Sequence, residues 1–323
     1  MDVLTRIRKP IEPELADFER MFDITLKHQN PILEAALRHI LSRKGKMMRP
    51  ILILLSARKC GEVNEAVLHA AVSLEMLHTA SLVHDDVVDE SGMRRGQSSL
   101  NAFMDNKAAV LVGDFLLSTA LEHAARTGNI RVVELVALLG KMLSDGELQQ
   151  LSNVKSDVIT EEQYFDVIRY KTASLFAISA EVGALLSGAS EQEVVRARNF
   201  GEYVGLCFQI RDDIFDYYDR EVGKPTGNDM KEGKLTLPVI YAVLQPGAKH
   251  WHEVAMKVRG GTATDEEIAA LVDFTKQAGG IDYAYRKMDE IRAMALATVG
   301  EEDDSPVAES LRIYLDFVLK RLS

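Results

Sequence analysis

The chain has 323 residues, 47% of them apolar, which is enough to bury a substantial core and too apolar for a disordered segment. Its formal charge of -11, from 49 acidic and 38 basic residues, argues against the basic face of a general nucleic-acid binder, so any anionic ligand has to meet local clusters of cations. The two cysteines, Cys60 and Cys207, lie in apolar helical pattern with no CxxC and no histidine at metal-ligand spacing, and read as reduced core thiols.

In chain order, the opening MDVLTRIRKPIEPEL lacks an apolar signal stretch, and the longest purely apolar runs, such as Ile51 to Leu55, are too short to span a bilayer. The expectation is a cytoplasmic protein without a transmembrane segment. Of eight prolines none falls between Pro50 and Pro225, and Ala, Leu, Glu and Met dominate that stretch, with no alternating β-branched segments. The spacing predicts helices over Leu33 to Ser42, Met48 to Lys59, Glu65 to Glu90, Ser98 to Arg126, Val132 to Ser152, Glu162 to Ser187 and Glu191 to Tyr218. Asp219 to Leu237 reads as an ordered loop, shorter helices follow, and Ser305 before Pro306 marks the last helix start. No repeat, low-complexity tract or composition shift marks a linker, so residues 1–323 are read as one all-α domain.

Two acidic clusters end two of these helices. LEMLHTASLVHDDVVDE places Asp85, Asp86 and Asp89 at the C-terminal end of an apolar helix. At i,i+4 spacing Asp85 and Asp89 share a face about 6 Å apart, and at an effective dielectric of ~20 they repel by roughly 3 kcal/mol. The helix dipole adds to the cost, so a cation is expected there. QIRDDIFDYYD repeats the arrangement with Asp212, Asp213 and Asp216. Oxygen-only ligands without cysteine suit Mg²⁺, a hard ion held by a few carboxylates together with substrate phosphates. The dipeptide His84-Asp85 resembles the metal-binding core of an HD-type phosphohydrolase, but the second cluster has no histidine, and His84 reads as a helix residue beside the acidic end.

Charge-assisted donors for a diphosphate lie beside structural breaks. Lys46 and Arg49 follow Gly45, Arg94 and Arg95 sit between Gly92 and Gly96, and Lys224 and Lys234 lie in the loop after the second cluster. Lys171, next to Thr172, sits among apolar and small residues, where an ammonium needs an anionic partner, and a bound phosphate is a natural one.

The parts GKMMRP, HTASLVHDDVVDESGMRRG, LVGDF, GELQQ, YKTASLF, FQIRDDIFDYYD and GKPTGNDMKEGKLTLP, in this order over nearly the whole chain, resemble the trans-type (E-type) polyprenyl diphosphate synthases, or polyprenyl synthetases. The resemblance implies an all-α, single-domain bundle of long antiparallel helices around a deep apolar cavity, usually as a homodimer. It implies several Mg²⁺ ions, with Asp85, Asp89 and Asp212 as principal ligands and Asp86, Asp213 and Asp216 assisting directly or through water. Arg94, Lys171, Thr172, Gln209, Lys224 and Lys234 would surround the allylic diphosphate, and Lys46, Arg49, His78 and Arg95 would hold isopentenyl diphosphate. The six aspartates and Lys171 form the expected catalytic set.

The chemistry so implied is loss of diphosphate from the allylic substrate, attack by the isopentenyl double bond and loss of a proton, which lengthens the chain by one trans isoprene unit. Ser81 lies one helical turn, about 5.4 Å, before Asp85, beside Ala80. Both are small where short-chain members carry large aromatics. With Leu77, Leu74 and Ser73 deeper in the helix and Val132 and Val136 as part of the floor, they predict a product of about six to ten units, a length that suits a quinone side chain. Release of so apolar a product allows transient membrane contact. A short-chain farnesyl or geranylgeranyl diphosphate synthase, a class I terpene cyclase and a noncatalytic synthase subunit are the alternatives. Small Ala80 and Ser81 count against the first, two DDxxD motifs with the Lys46/Arg49 turn against the second, and all six aspartates against the third.

Overall fold

A computed structural model of the chain describes residues 2–42, 45–94, 96–153, 158–218, 227–300 and 302–320. Its helices begin with α1 (Val3–Arg8), a 3-10 turn, α2 (Glu12–Thr25), α3 (Pro31–Leu41) and α4 (Met48–Cys60). The long α5 (Glu65–Val88) leads to a two-residue antiparallel hairpin, β1 (Met93–Arg94) and β2 (Gln97–Ser98), with Arg94 opposite Gln97. Then come α6 (Leu100–Phe103), α7 (Asn106–Arg126), α8 (Ile130–Asn153) and α9 (Glu161–Ile168). A π-turn over Arg169–Ala173 joins α9 to α10 (Ser174–Leu186), and α11 (Glu191–Phe215) carries the second acidic cluster. The remainder is α12 (Asn228–Lys231), α13 (Leu237–Val243), α14 (Lys249–Arg259), α15 (Asp265–Gln277), α16 (Gly280–Val299) and α17 (Pro306–Lys320). The all-α fold class is borne out.

Local chemistry sets the helix starts. Asn30 accepts from the amides of Ile32 and Leu33 with Pro31 in the first turn, Asn64 accepts from Val67, and Thr264 and Glu267 close a capping box. The start at Pro306 is as expected, with Ser305 Oγ accepting from the Ala308 amide at 3.2 Å.

Three expectations are corrected. The helix predicted over Ser98 to Arg126 is interrupted, because Gly96 (φ 74°) turns the hairpin and Asp105 accepts from the Ala108 amide at 2.7 Å, which starts α7 afresh. The helix predicted over Glu162 to Ser187 contains the π-turn, in which the Ser174 amide donates to the Arg169 carbonyl. The N-terminal α1 and α2 were not expected. Pro13 sits in the first turn of α2 and Pro10 in the 3-10 turn before it, where a missing N–H costs nothing.

Contacts group the chain into two compact units. The first holds Met1–Lys141, Leu175–Gly201 and Thr298–Tyr314, with α5 as a central element packed on α2, α4 and α7. Side chains on nearly every face of α5 are buried, including Leu74, Leu77 and Ala80, and Ser73 Oγ donates to the Ala120 carbonyl of α7 at 2.7 Å. By length and composition α5 and α7 match membrane spans, but 61% and 44% of those stretches are buried in the protein, as core helices require. The second unit holds Met142–Ser174, Glu202–Ala297 and Leu315–Ser323, around a core that includes Ile168, Cys207, Ile210, Ile214, Leu237 and Leu271. Burial and the absence of a nearby base push the Cys207 thiol up to about 12, in keeping with a reduced core thiol.

Candidate active site

In the first unit the acidic cluster closes α5. The Asp89 amide still donates to the Asp85 carbonyl at 2.8 Å, so the helical phase persists and Asp85 and Asp89 stay on one side, with Asp89 exposed. Asp86 lies on the neighbouring face, is 4% exposed, and accepts from Arg94 Nε at 2.8 Å and Nη2 at 2.5 Å. The expected cation is therefore present and bound to Asp86. Its position on β1 follows from the hairpin that directly succeeds the helix.

Asp86 and Arg94 belong to a cavity of about 110 Å³ that α5 lines with Glu75, His78, Thr79, Leu82 and Val83. Gly45 and Met47, on either side of Lys46, also line it, so the cavity gathers His78, Arg94 and the Lys46 turn. Lys46 is half-buried, its carbonyl accepting from Arg8 Nη2 at 3.1 Å, and the Arg49 guanidinium lies 5.2 Å from the Phe176 ring centre. Leu77, Ala80 and Ser81 face elsewhere. Leu77 and Ala80 are buried, and Ser81 Oγ donates to the His78 carbonyl at 2.9 Å. Val132 and Val136 are buried core residues of α8. His84 covers Gly113 of α7, where a Cβ would lie 2.2 Å from Nε2, and its ring nitrogen is 3.5 Å from Asp114 Oδ1. It serves helix packing, as expected.

Two signals invisible in the sequence flank these residues. Met47 (φ 53°) and Glu90 (φ 49°) are the non-glycine residues with left-handed backbone among the described residues. One lies between Lys46 and Arg49 and the other directly follows Asp89. Such conformations persist where the surroundings over-determine them, and they cluster at functional sites.

In the second unit Asp213 is 4% exposed. Tyr164 Oη donates to its Oδ2 at 2.6 Å and Gln209 Nε2 to its Oδ1 at 2.8 Å, while Thr172 Oγ1 donates to Gln209 Oε1 at 2.8 Å. Burial, then the charge of Asp229, drives the Asp213 carboxyl well above the usual carboxylate range. Asp212, with 39% of its side chain exposed, accepts from the buried Arg211, which also donates to the Val318 carbonyl of α17. Asp216 follows the last turn of α11 and accepts from the amides of Asn228 and Asp229 at 3.2 and 3.1 Å, which fixes the start of α12.

Lys171 does meet an anion, but in this chain it is Glu147, at 2.5 Å, with Gln150 Oε1 at 3.3 Å. Any phosphate at Lys171 therefore competes with a protein carboxylate. Lys234 pairs with Glu232 at 2.6 Å. Arg95 and Lys224 lie outside the described residues. Sequence reasoning missed Glu147, Tyr164 and Asp229. Burial and Asp216 raise the carboxyl of Asp229 to about 6. The only pointers were the position of Glu147 within GELQQ and of Asp229 within GKPTGNDMKEGKLTLP.

Among the described residues no three His, Cys, Asp or Glu side chains form a ready-made metal cage. Sparse carboxylates in pairs are the donor set that suits Mg²⁺, which keeps water and phosphate ligands, and not zinc or an all-protein calcium cage.

Helical units with an aspartate-rich sequence at the end of each of two apolar helices define an all-α prenyl diphosphate synthase fold. The polyprenyl synthetase family profile matches residues 30–274, and the chain belongs to that family, whose members are prenyltransferases using allylic and isopentenyl diphosphates. It is 34% identical over 275 residues to octaprenyl diphosphate synthase of Escherichia coli (strain K12), covering 84% of this chain and 85% of that protein. The crystal structure of geranylgeranyl pyrophosphate synthase from Bacteroides thetaiotaomicron is 50% identical, with TM-score 0.87, over 99% of this chain and 100% of that one. Polyprenyl synthase from Caulobacter crescentus CB15, solved with calcium and isoprenyl diphosphate, is 29% identical with TM-score 0.89 over 98% of each chain.

Proposed function

We propose that this chain condenses an allylic diphosphate, farnesyl or geranylgeranyl diphosphate, with successive isopentenyl diphosphate units to give a long all-trans polyprenyl diphosphate. Residues 1–323 form one polyprenyl synthetase domain in this reading. Asp85, Asp89 and Asp212 hold Mg²⁺, several ions per site, with Asp86, Asp213 and Asp216 assisting. When bound, the metal neutralises the leaving diphosphate. Arg94, Lys171, Thr172, Gln209, Lys224 and Lys234 orient that diphosphate, and Lys46, Arg49, His78 and Arg95 bind isopentenyl diphosphate. Preset cations stabilise charge as it develops on the departing group, and exclusion of water keeps the allylic cation from hydrolysis. The departing diphosphate accepts the final proton.

The observation that carries the long-chain reading is the small pair Ala80 and Ser81, one turn before Asp85 on α5. Leu77 is the next side chain on that path. A homodimer is supported by the apolar side chains that α7 leaves in solvent, such as Leu111 at 60% exposure and Leu121 at 44%. The protein works in the cytoplasm, with transient membrane contact on product release. A short-chain product is the second reading, favoured by the 50% identity to a geranylgeranyl pyrophosphate synthase.

The test is incubation with Mg²⁺, labelled isopentenyl diphosphate and farnesyl diphosphate, followed by sizing of the extracted products, with a chelator control. A chelator-sensitive product of six or more units is expected. One of four units would keep the enzyme and remove the chain-length assignment, and no product would turn the reading towards a cyclase or a subunit that needs a partner.

A further inference from the structure

The π-turn and the hydrogen bonds around Asp213 belong to one device. Tyr164 and Thr172 are eight residues apart, and an uninterrupted α-helix would leave about 80° between them. The π-turn at Arg169–Ala173 holds one extra residue in its turn, so the step counts as about seven α-helical positions and the two side chains come within about 20° of one face. On α11, Gln209 and Asp213 are an i,i+4 pair and share a face. The contacts Tyr164–Asp213 and Thr172–Gln209 run in antiparallel register, and Gln209–Asp213 closes the chain Thr172 to Gln209 to Asp213 to Tyr164. Both carboxylate oxygens of Asp213 receive a donor from within the protein.

We infer that Tyr164 is a positioning residue: through Asp213 it locks the C-terminal end of α11 so that Asp212 and Asp216 stand ready for a metal-bound diphosphate, and the π-turn provides the register that lets it do so. The role in metal binding rests on the reading under Proposed function. Tyr164 is 7% exposed and its ring sits edge-on to Phe165 at 5.4 Å, so the hydroxyl has one approach to α11. Partners of this kind fix the orientation of ligating carboxylates, and their loss weakens metal affinity by roughly 10–100-fold.

The experiment uses the full chain, with Mg²⁺ and inorganic diphosphate as probe. The readout is the Mg²⁺ concentration that gives half of the diphosphate-dependent rise in melting temperature, measured for the native protein, Tyr164→Phe, Asp213→Asn and the double variant. Tyr164→Phe should raise that midpoint about tenfold. The double variant should match Asp213→Asn, because a residue that acts through Asp213 has nothing further to lose. In turnover, kcat should fall while KM for isopentenyl diphosphate holds. An unchanged midpoint, additive effects, or a native protein that binds no diphosphate with Mg²⁺ would each overturn the inference. A second measurement needs no loss of the hydroxyl: 3-fluorotyrosine at position 164 should show a ¹⁹F shift on addition of Mg²⁺ and diphosphate, and a stationary resonance would also overturn it. Should these results hold while no prenyl product forms, the positioning role stands and the proposed reaction fails. Should product form while the midpoint is unmoved, the reverse follows.

Discussion

The end of α5 and the end of α11 carry the same DDxxD spacing, yet they handle their second aspartate differently. Asp86 and Asp213 are equally buried, at 4% exposure each. Asp86 is held by a cation, Arg94, and Asp213 by two neutral donors, Tyr164 and Gln209. In both motifs the first aspartate is the more open of the adjacent pair, with Asp85 half-buried and Asp212 39% exposed at its side chain. The third differs again. Asp89 is exposed at the helix cap, whereas the Asp216 carboxylate is occupied by two backbone amides. The lesson is that the motif divides by helical phase into a face available to ligands and a carboxylate turned into the protein, and that only the second role needs a partner from elsewhere in the fold.

The largest effect tests that division at the open face. Asp85→Ala or Asp212→Ala should lower turnover by roughly 10³-fold, in line with several kcal/mol of charge stabilisation supplied through the metal, with the far-UV spectrum unchanged. Near-normal activity in both variants would remove the metal assignment from this face. Asp89→Ala and Asp216→Ala would sharpen the comparison, since only the second also removes the acceptor for the first amides of α12.

One turn before each motif the two helices diverge further. Position 81 on α5 is Ser, while position 208 on α11 is Phe, its ring 4.7 Å from the Arg211 guanidinium. Ser81→Phe gives α5 the bulk that α11 already has and should shorten the product, read by sizing the extracted chains. An unchanged length would mean that the growing tail does not pass Ser81, a result that the cavity beside His78, on another face of α5, makes a direct contest.

Most helices were legible because proline is absent from 50 to 225 and caps such as Asn30, Asn64 and Ser305 are local in sequence. The acidic helix ends were legible for the same reason: i,i+4 spacing is a local property. The π-turn was not, since an inserted residue leaves no mark in an apolar periodic segment between Ile168 and Ser174. The partners of the buried groups were also hidden. Glu147 lies 24 residues before Lys171 and Tyr164 lies 49 before Asp213, and only packing decides which polar residue at such separation satisfies which. Arg94 was recognised as a cation near the first cluster, but its choice of Asp86 over Asp85 or Asp89 depends on a hairpin that the sequence presents as the start of a helix.

The smallest effect separates the two buried aspartates in the metal-free protein. At Asp86 an amide would accept from Arg94 without balancing its charge, and because the Arg94 side chain is 38% exposed, water offsets part of the loss. Asp86→Asn should therefore cost about 1–2 kcal/mol. At Asp213 burial and the neighbouring Asp229 favour the neutral acid, which asparagine resembles in shape and charge. The Tyr164 hydroxyl is both donor and acceptor and can turn to face an amide nitrogen. Asp213→Asn should cost under about 1 kcal/mol, and melting of the two variants side by side without metal reads the order directly. The reverse order would mean that Asp213 is held as an anion by its two donors despite its burial. The difference between the motifs would then lie only in the identity of the donor, and not in the charge state that each end of the fold maintains.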